Sequence, residues 1–187
     1  MKNLPYFLLA LLLACNQSNQ ADQSASDTQQ RRYDYDVEER LAELDITLSD
    51  PPKPVANYVN AVRTGNLVFM AGKGPRKADG TNVTGRVGTD LTIDEGYQAA
   101  RLTAIAQLSA LKAEIGDLNK VVRIVKVTGM VNADPGFGNQ PEVINGFSDL
   151  MVEVFGARGK HARAAVGMGS LPRNIACEIE MIVEVAD

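Results

Sequence analysis

Apolar positions recur along this chain with two periods, and the changes of period mark its elements. At residues 121–131 apolar and β-branched residues fall on both sides of an extended segment, the pattern of an interior strand. At 177–185 the alternation is strict: Cys177, Ile179, Met181, Val183 and Val185 form one side, and Glu178 and Glu180 point to the other. Tyr97, Ala100, Ala104, Leu108, Leu111 and Ile115 instead return every three or four residues, the stripe of an amphipathic helix. Thr92 and Glu95 make a capping box at its start, and Gly116 suits its end. Val143, Ile144, Phe147, Leu150, Met151, Val154 and Phe155 mark a second helix, opened by Pro141 and stopped by Gly156.

Residues 58–62 and 67–71 form a hairpin about Gly65-Asn66. A short helical pattern covers 37–44, prolines 51, 52 and 54 force an extended approach, and 73–90 is a Gly-rich loop with a turn at Asp79-Gly80. Gly72 and Gly74 open no helix, so they are no dinucleotide fingerprint. The order is ββαβαββ, an α+β domain with one sheet and both helices on one face. The last two strands are expected to pair as a hairpin about residues 170–172. That pairing would set Arg163 near Glu178 and Glu180 on the side away from the core. Charges in such a place form a site or an interface ion-pair network, and the residues alone leave both open.

Composition narrows the chemistry. With 187 residues, 45% of them hydrophobic, the chain can bury one substantial core. A net charge of −4 and no Lys/Arg block give nucleic acid no electrostatic footprint. His161 is the only histidine, no metal-ligand cluster is spaced along the chain, and His161 has no neighbour that suggests a nucleophilic set. Cys177 lies on the apolar side of its strand and is expected to be a buried core thiol.

The N-terminus follows other rules. Residues 4–14 are apolar but too short to span a bilayer, and they end Leu12-Leu13-Ala14-Cys15. This resembles a bacterial lipobox, with Cys15 the residue lipidated after cleavage; an ordinary secretory signal is the alternative. Residues 1–15 are thus expected to be a lipoprotein signal, 16–36 a flexible polar tether and 37–187 the folded domain, exported and lipid-anchored at a bacterial cell envelope.

The C-terminal set Ala162-Arg163, Val166, Leu171-Pro172 and Glu178-Ile179-Glu180 resembles the RidA/YjgF family of reactive-intermediate deaminases. The stretches Asn57-Tyr58-Val59-Asn60-Ala61-Val62 and Gly65-Asn66 through Ala71-Gly72-Lys73-Gly74-Pro75, and Val143-Ile144-Asn145, extend the likeness over 55–187. The resemblance implies a homotrimer with a site in each intersubunit cleft. It implies hydrolysis of 2-aminoacrylate-like enamine and imine acids to 2-keto acids and ammonia, with no cofactor and no metal. Arg163 would anchor the substrate carboxylate, a task that suits a planar two-pronged donor. Glu178 would orient water and move its proton. Gly72 would offer a backbone N–H, Tyr58 and Asn145 would line the cleft from the facing side, and Ala165 would contribute through its backbone. Ala165 stands where the best-studied branch has cysteine, and Lys73 where glutamine is usual. The expected partners are a small 2-imino or 2-keto acid, further copies of the chain and, through lipid alone, a membrane. A non-catalytic carboxylate-binding module and a structural envelope protein on the same fold stay open as alternatives.

Overall fold

A computed structural model describes residues 33–186. The expected signal segment, Cys15 and all but the last residues of the tether lie outside them. Helix α1 (Val37–Glu43) is capped by the Asp36 carboxylate, which accepts from the Glu38 and Glu39 backbone N–H groups. Strands β1 (Ala61–Thr64) and β2 (Leu67–Lys73) turn at Gly65, whose φ of 57° a side chain would resist. Tyr58 precedes β1 and lies outside the hairpin, its N–H donating to the Ala56 carbonyl. Helix α2 (Ile93–Ile115) carries the capping box as expected: the Glu95 N–H donates to Thr92 Oγ1 and the Thr92 N–H to Glu95 Oε2. Strand β3 (Val121–Asn132), helix α3 (Gln140–Phe155), strand β4 (Ala162–Met168) and strand β5 (Cys177–Val185) follow.

The five strands make one sheet in the order β1-β2-β5-β3-β4. All pairs are antiparallel except β3 with β4, which run parallel. A parallel neighbour needs a crossover, and α3 supplies it. Both long helices cover one face. On β5, Cys177 meets Thr103 of α2, and Gly129 of β3 leaves room for Ile144 of α3. Cys177, Ile179, Met181, Val183 and Val185 are all buried there, as their alternation requires.

The terminal hairpin is corrected. β4 and β5 do not pair; β3 lies between them. The physical reason is in β3 itself. Its twelve residues are rich in β-branched side chains and offer two long edges, and each of the last two strands takes one. A short 3-10 turn at Pro172–Asn174, with Arg173 and Asn174 at positive φ, follows β4 and leads toward β5.

The helices approach closely at Gly146. A Cβ there would overlap the carbonyl oxygen of Tyr97, a backbone atom of α2 that cannot rotate away. Gly146→Ala is therefore expected to lower stability by about 1–3 kcal/mol. Gly138→Ala, at a position open to solvent, should change it by less than about 0.5 kcal/mol. Denaturant midpoints of the two variants check this; equal midpoints would mean the helices do not meet as described.

Candidate functional site

The residues expected to act together fall into two groups on opposite faces of the sheet. Arg163 is in register with Val127 of β3, which pairs with Met181 of β5. All three therefore point to the helix side. Glu178 pairs with Met130, in register with Val166, and points to the uncovered side. The expectation that Arg163 shares a face with Glu178 and Glu180 is overturned, because one intervening strand and a parallel register replace the hairpin.

The first group gathers at the edge strand β4. Arg163 Nη1 donates to Asn145 Oδ1 at 2.9 Å and to Ser148 Oγ at 3.0 Å, both on α3. Nη2 makes one long contact, 3.5 Å, to the Pro141 carbonyl. Both hydrogens of Nη1 are thus committed, while among the described residues Nε has no partner. Nε–H and one Nη2 hydrogen remain over, the donors of a two-pronged edge. Ala165 lies two residues on, on the same side of β4 and in register with Gly129. Asn145 was expected on the wall facing Arg163; it instead holds Arg163 from the same wall.

Ser148 and His161 complete this group, and neither was anticipated in it. His161 Nδ1 lies 2.7 Å from the Gly159 carbonyl, and Nε2 lies 3.1 Å from Ser148 Oγ. Phe147 meets the imidazole edge-on, with ring centroids 6.5 Å apart at 83°. Burial pushes the His161 pKa below its ordinary value, opposed by the Gly159 carbonyl and aided by the Arg163 charge. The available signal was spacing: His161 and Arg163 alternate on one strand side. Nothing in the chain order announces that Ser148 reaches them.

The second group lies at a bulge in β2. The register shifts between Met70 and Lys73, so Ala71 and Gly72 together oppose Glu180. A Cβ on Gly72 would overlap Glu178 Oε1, so the absent side chain is what lets the carboxylate lie over the backbone. Buried Gln107 of α2 donates from Nε2 to the Ala71 carbonyl at 3.0 Å and the Ile179 carbonyl at 2.6 Å. The Ala71–Gly72 peptide is held by its oxygen, and its N–H, on Gly72, points away from Gln107. Lys73 donates to Asn60 Oδ1 at 2.8 Å; burial lowers its pKa, and the field of Glu178 opposes that shift. Among the described residues Glu178 has no hydrogen bond or ion pair. Tyr58, half exposed at 51%, stands outside both groups.

The uncovered sheet face beside Glu178 carries several exposed apolar side chains among its charged ones. Val62, Phe69, Val166 and Met168 project from it and are exposed by 37–55%. Among the described residues no cluster of three His, Cys, Asp or Glu side chains is placed to hold a metal. Cys177 belongs to neither group. Burial pushes its thiol up to about 12, the Thr103 hydroxyl 3.4 Å away working in the opposite direction. Iodoacetamide at pH 8 is expected to leave Cys177 unmodified in the folded protein and to alkylate it only as denaturant unfolds the domain; mass spectrometry of the peptide would read this, and labelling at the native rate of a free thiol would contradict it.

Comparison with known proteins places this geometry among relatives. The family model described as "YjgF/chorismate_mutase-like, putative endoribonuclease" matches residues 38–185. The chain is 41% identical over 150 residues to Protein TCP17 of Trypanosoma cruzi, covering 80% of this chain and 94% of that one. It is 31% identical over 136 residues to the 2-iminobutanoate/2-iminopropanoate deaminase of Dermatophagoides farinae, covering 72% and 90%. The crystal structure of Atu1372 from Agrobacterium tumefaciens, a protein of unknown function, superposes with a TM-score of 0.74 at 44% identity, covering 80% and 94%.

Proposed function

The chain belongs to the YjgF/RidA family, and from that premise we propose that it hydrolyses small 2-imino acids to 2-keto acids and ammonia in clefts between copies of itself. The observation that carries this is the state of Arg163. Its Nη1 is anchored by Asn145 and Ser148 and Nη2 makes one long contact to the Pro141 carbonyl, which leaves Nε–H and the second Nη2 hydrogen for a ligand. A planar fork of that kind matches a carboxylate.

The second group supplies the rest once a neighbouring copy brings it opposite Arg163. Glu178 accepts a proton from water as the oxygen attacks the imine carbon. The C–O bond forms, the C=N electrons move to nitrogen, and nitrogen takes up a proton. Glu178 then takes the carbinolamine hydroxyl proton and passes it to nitrogen, so that the C=O bond forms as the C–N bond breaks and ammonia leaves the keto acid. Gly72 offers its N–H to the carboxylate, Ala165 its backbone, and Tyr58 closes the rim. Imines hydrolyse in water unaided, so positioning and one proton shuttle suffice.

Two features support assembly as a trimer. Val62, Phe69, Val166 and Met168 stand exposed together on one sheet face, and such a grouping suits a covered interface. Glu178, which has no hydrogen bond or ion pair among the described residues, is half-buried beside it. Anchoring through lipid on Cys15 at a bacterial envelope belongs to the same proposal and rests on sequence alone. The family description also names an endoribonuclease; a chain of net charge −4 lacks the basic stripe that RNA binding uses.

Keto-acid release from freshly generated imines is the decisive assay. Arg163→Ala is expected to abolish both 2-keto-acid binding and turnover, and Arg163→Lys to restore part, since an ammonium is not a fork. Glu178→Gln should keep binding and lose about 10²–10⁴ in rate. Turnover no faster than buffer with ligand binding intact would leave a binding module in place of an enzyme.

Light scattering of the wild type should give the mass of three chains. A monomer at micromolar concentration would reject the intersubunit cleft.

A further inference from the structure

The hydrogen bonds around Ser148 have only one consistent direction. The Gly159 carbonyl can only accept, so His161 Nδ1 carries the proton. In a neutral imidazole Nε2 is then a lone pair, and the Ser148 hydroxyl donates to it across 3.1 Å. With its hydrogen spent, Ser148 Oγ turns a lone pair to Arg163 Nη1 at 3.0 Å. Asn145 Oδ1 takes the other Nη1 hydrogen. Every proton from the Gly159 carbonyl to the guanidinium has a fixed place.

Resting on Arg163 as the carboxylate anchor, we propose that Ser148 and neutral His161 are positioning residues that hold Arg163 by Nη1 and so present its Nε–Nη2 edge to the ligand. The chain spans three elements: Ser148 from α3, Gly159 from the turn that follows it, and His161 at the entrance to β4. Phe147 fixes the imidazole plane from α3.

Protonation would break the arrangement. A hydrogen on Nε2 would face Ser148 Oγ, the hydroxyl would lose its acceptor, and a second positive charge would stand one hydroxyl away from Arg163. The surroundings oppose this. Arg163 is the charged group that acts on His161; α3 presents neutral Ser148 and Phe147, and the turn presents a carbonyl. Lys126 of β3 is in register with Ala162 and points to the other sheet face. Burial favours the neutral ring as well.

Two measurements on the full-length chain test this, one of them independent of any ligand. Nitrogen-15 NMR of the wild type should report His161 as the Nδ1–H tautomer at pH 7, and Arg163 Nε as rigid. Ser148→Ala and His161→Phe should each loosen Arg163 Nε. Each should also raise the Kd for pyruvate about tenfold. Combining them should cost no more than either alone, because both cut one chain. His161→Gln puts an amide oxygen near the place of Nε2 and is expected to recover most of the affinity. It should also flatten the pH profile: wild-type affinity falls as acid protonates His161, whereas His161→Gln does not titrate there. Affinity that rises on acidification would make His161 a supplier of charge and overturn the proposal. An Nε2–H tautomer, or an Arg163 Nε equally rigid in all variants, would overturn it too. If no carboxylate binds the wild type while Arg163 Nε still loosens in the variants, positioning stands and the anchor role fails.

Discussion

The parallel pairing of β4 with β3 sets the position of every group that carries chemistry here. Once α3 has carried the chain back along the same direction, β4 can only join the free edge of β3, because β5 holds the other edge. The register then turns Arg163 toward the helices, where α3 offers Asn145 and Ser148 to hold it. A slip of one residue would send Arg163 to the opposite face and break both bonds. The same pairing leaves β5 in the middle of the sheet, with Glu178 on the uncovered face over the Gly72 bulge.

Two half-sites follow, and their electrostatics differ. Arg163 sits among an amide, a hydroxyl and a backbone carbonyl, beside an imidazole whose pKa burial lowers. None of these partners is a carboxylate, so its charge stays available to an anion. Glu178 lies near Lys73, whose pKa burial lowers against the field of Glu178 and whose ammonium donates to Asn60. A half-buried cation and a half-buried anion are thus kept apart within one chain. Bringing them face to face across an interface would offset the desolvation that each has partly undergone.

Polar side chains, buried in the case of Gln107 and half-buried in those of Ser148 and His161, support this division. Gln107 ties the bulged Ala71 carbonyl to the Ile179 carbonyl from the helix side. Ser148 and His161 do the corresponding work for Arg163. Each spends hydrogen bonds on geometry rather than on the hydrophobic core, which is why neither shows in an apolar pattern.

The sequence by itself determined the elements and the inventory of reactive groups. Period decided α2, α3, β3 and β5, because burying one face forces apolar residues to recur at 3.6 or at 2. Thr92, Glu95, Gly116 and Gly156 determined the helix limits, since cap chemistry is local. Motif order singled out Arg163, Glu178, Gly72 and Asn145. Only the tertiary structure decided which of these meet. Strand partnership depends on which edges remain free after the whole sheet assembles, and a local turn between β4 and β5 carries no record of β3 passing between them. Ser148 and His161 became neighbours for the same reason: thirteen residues part them along the chain, and the crossover through α3 closes that distance to a hydrogen bond.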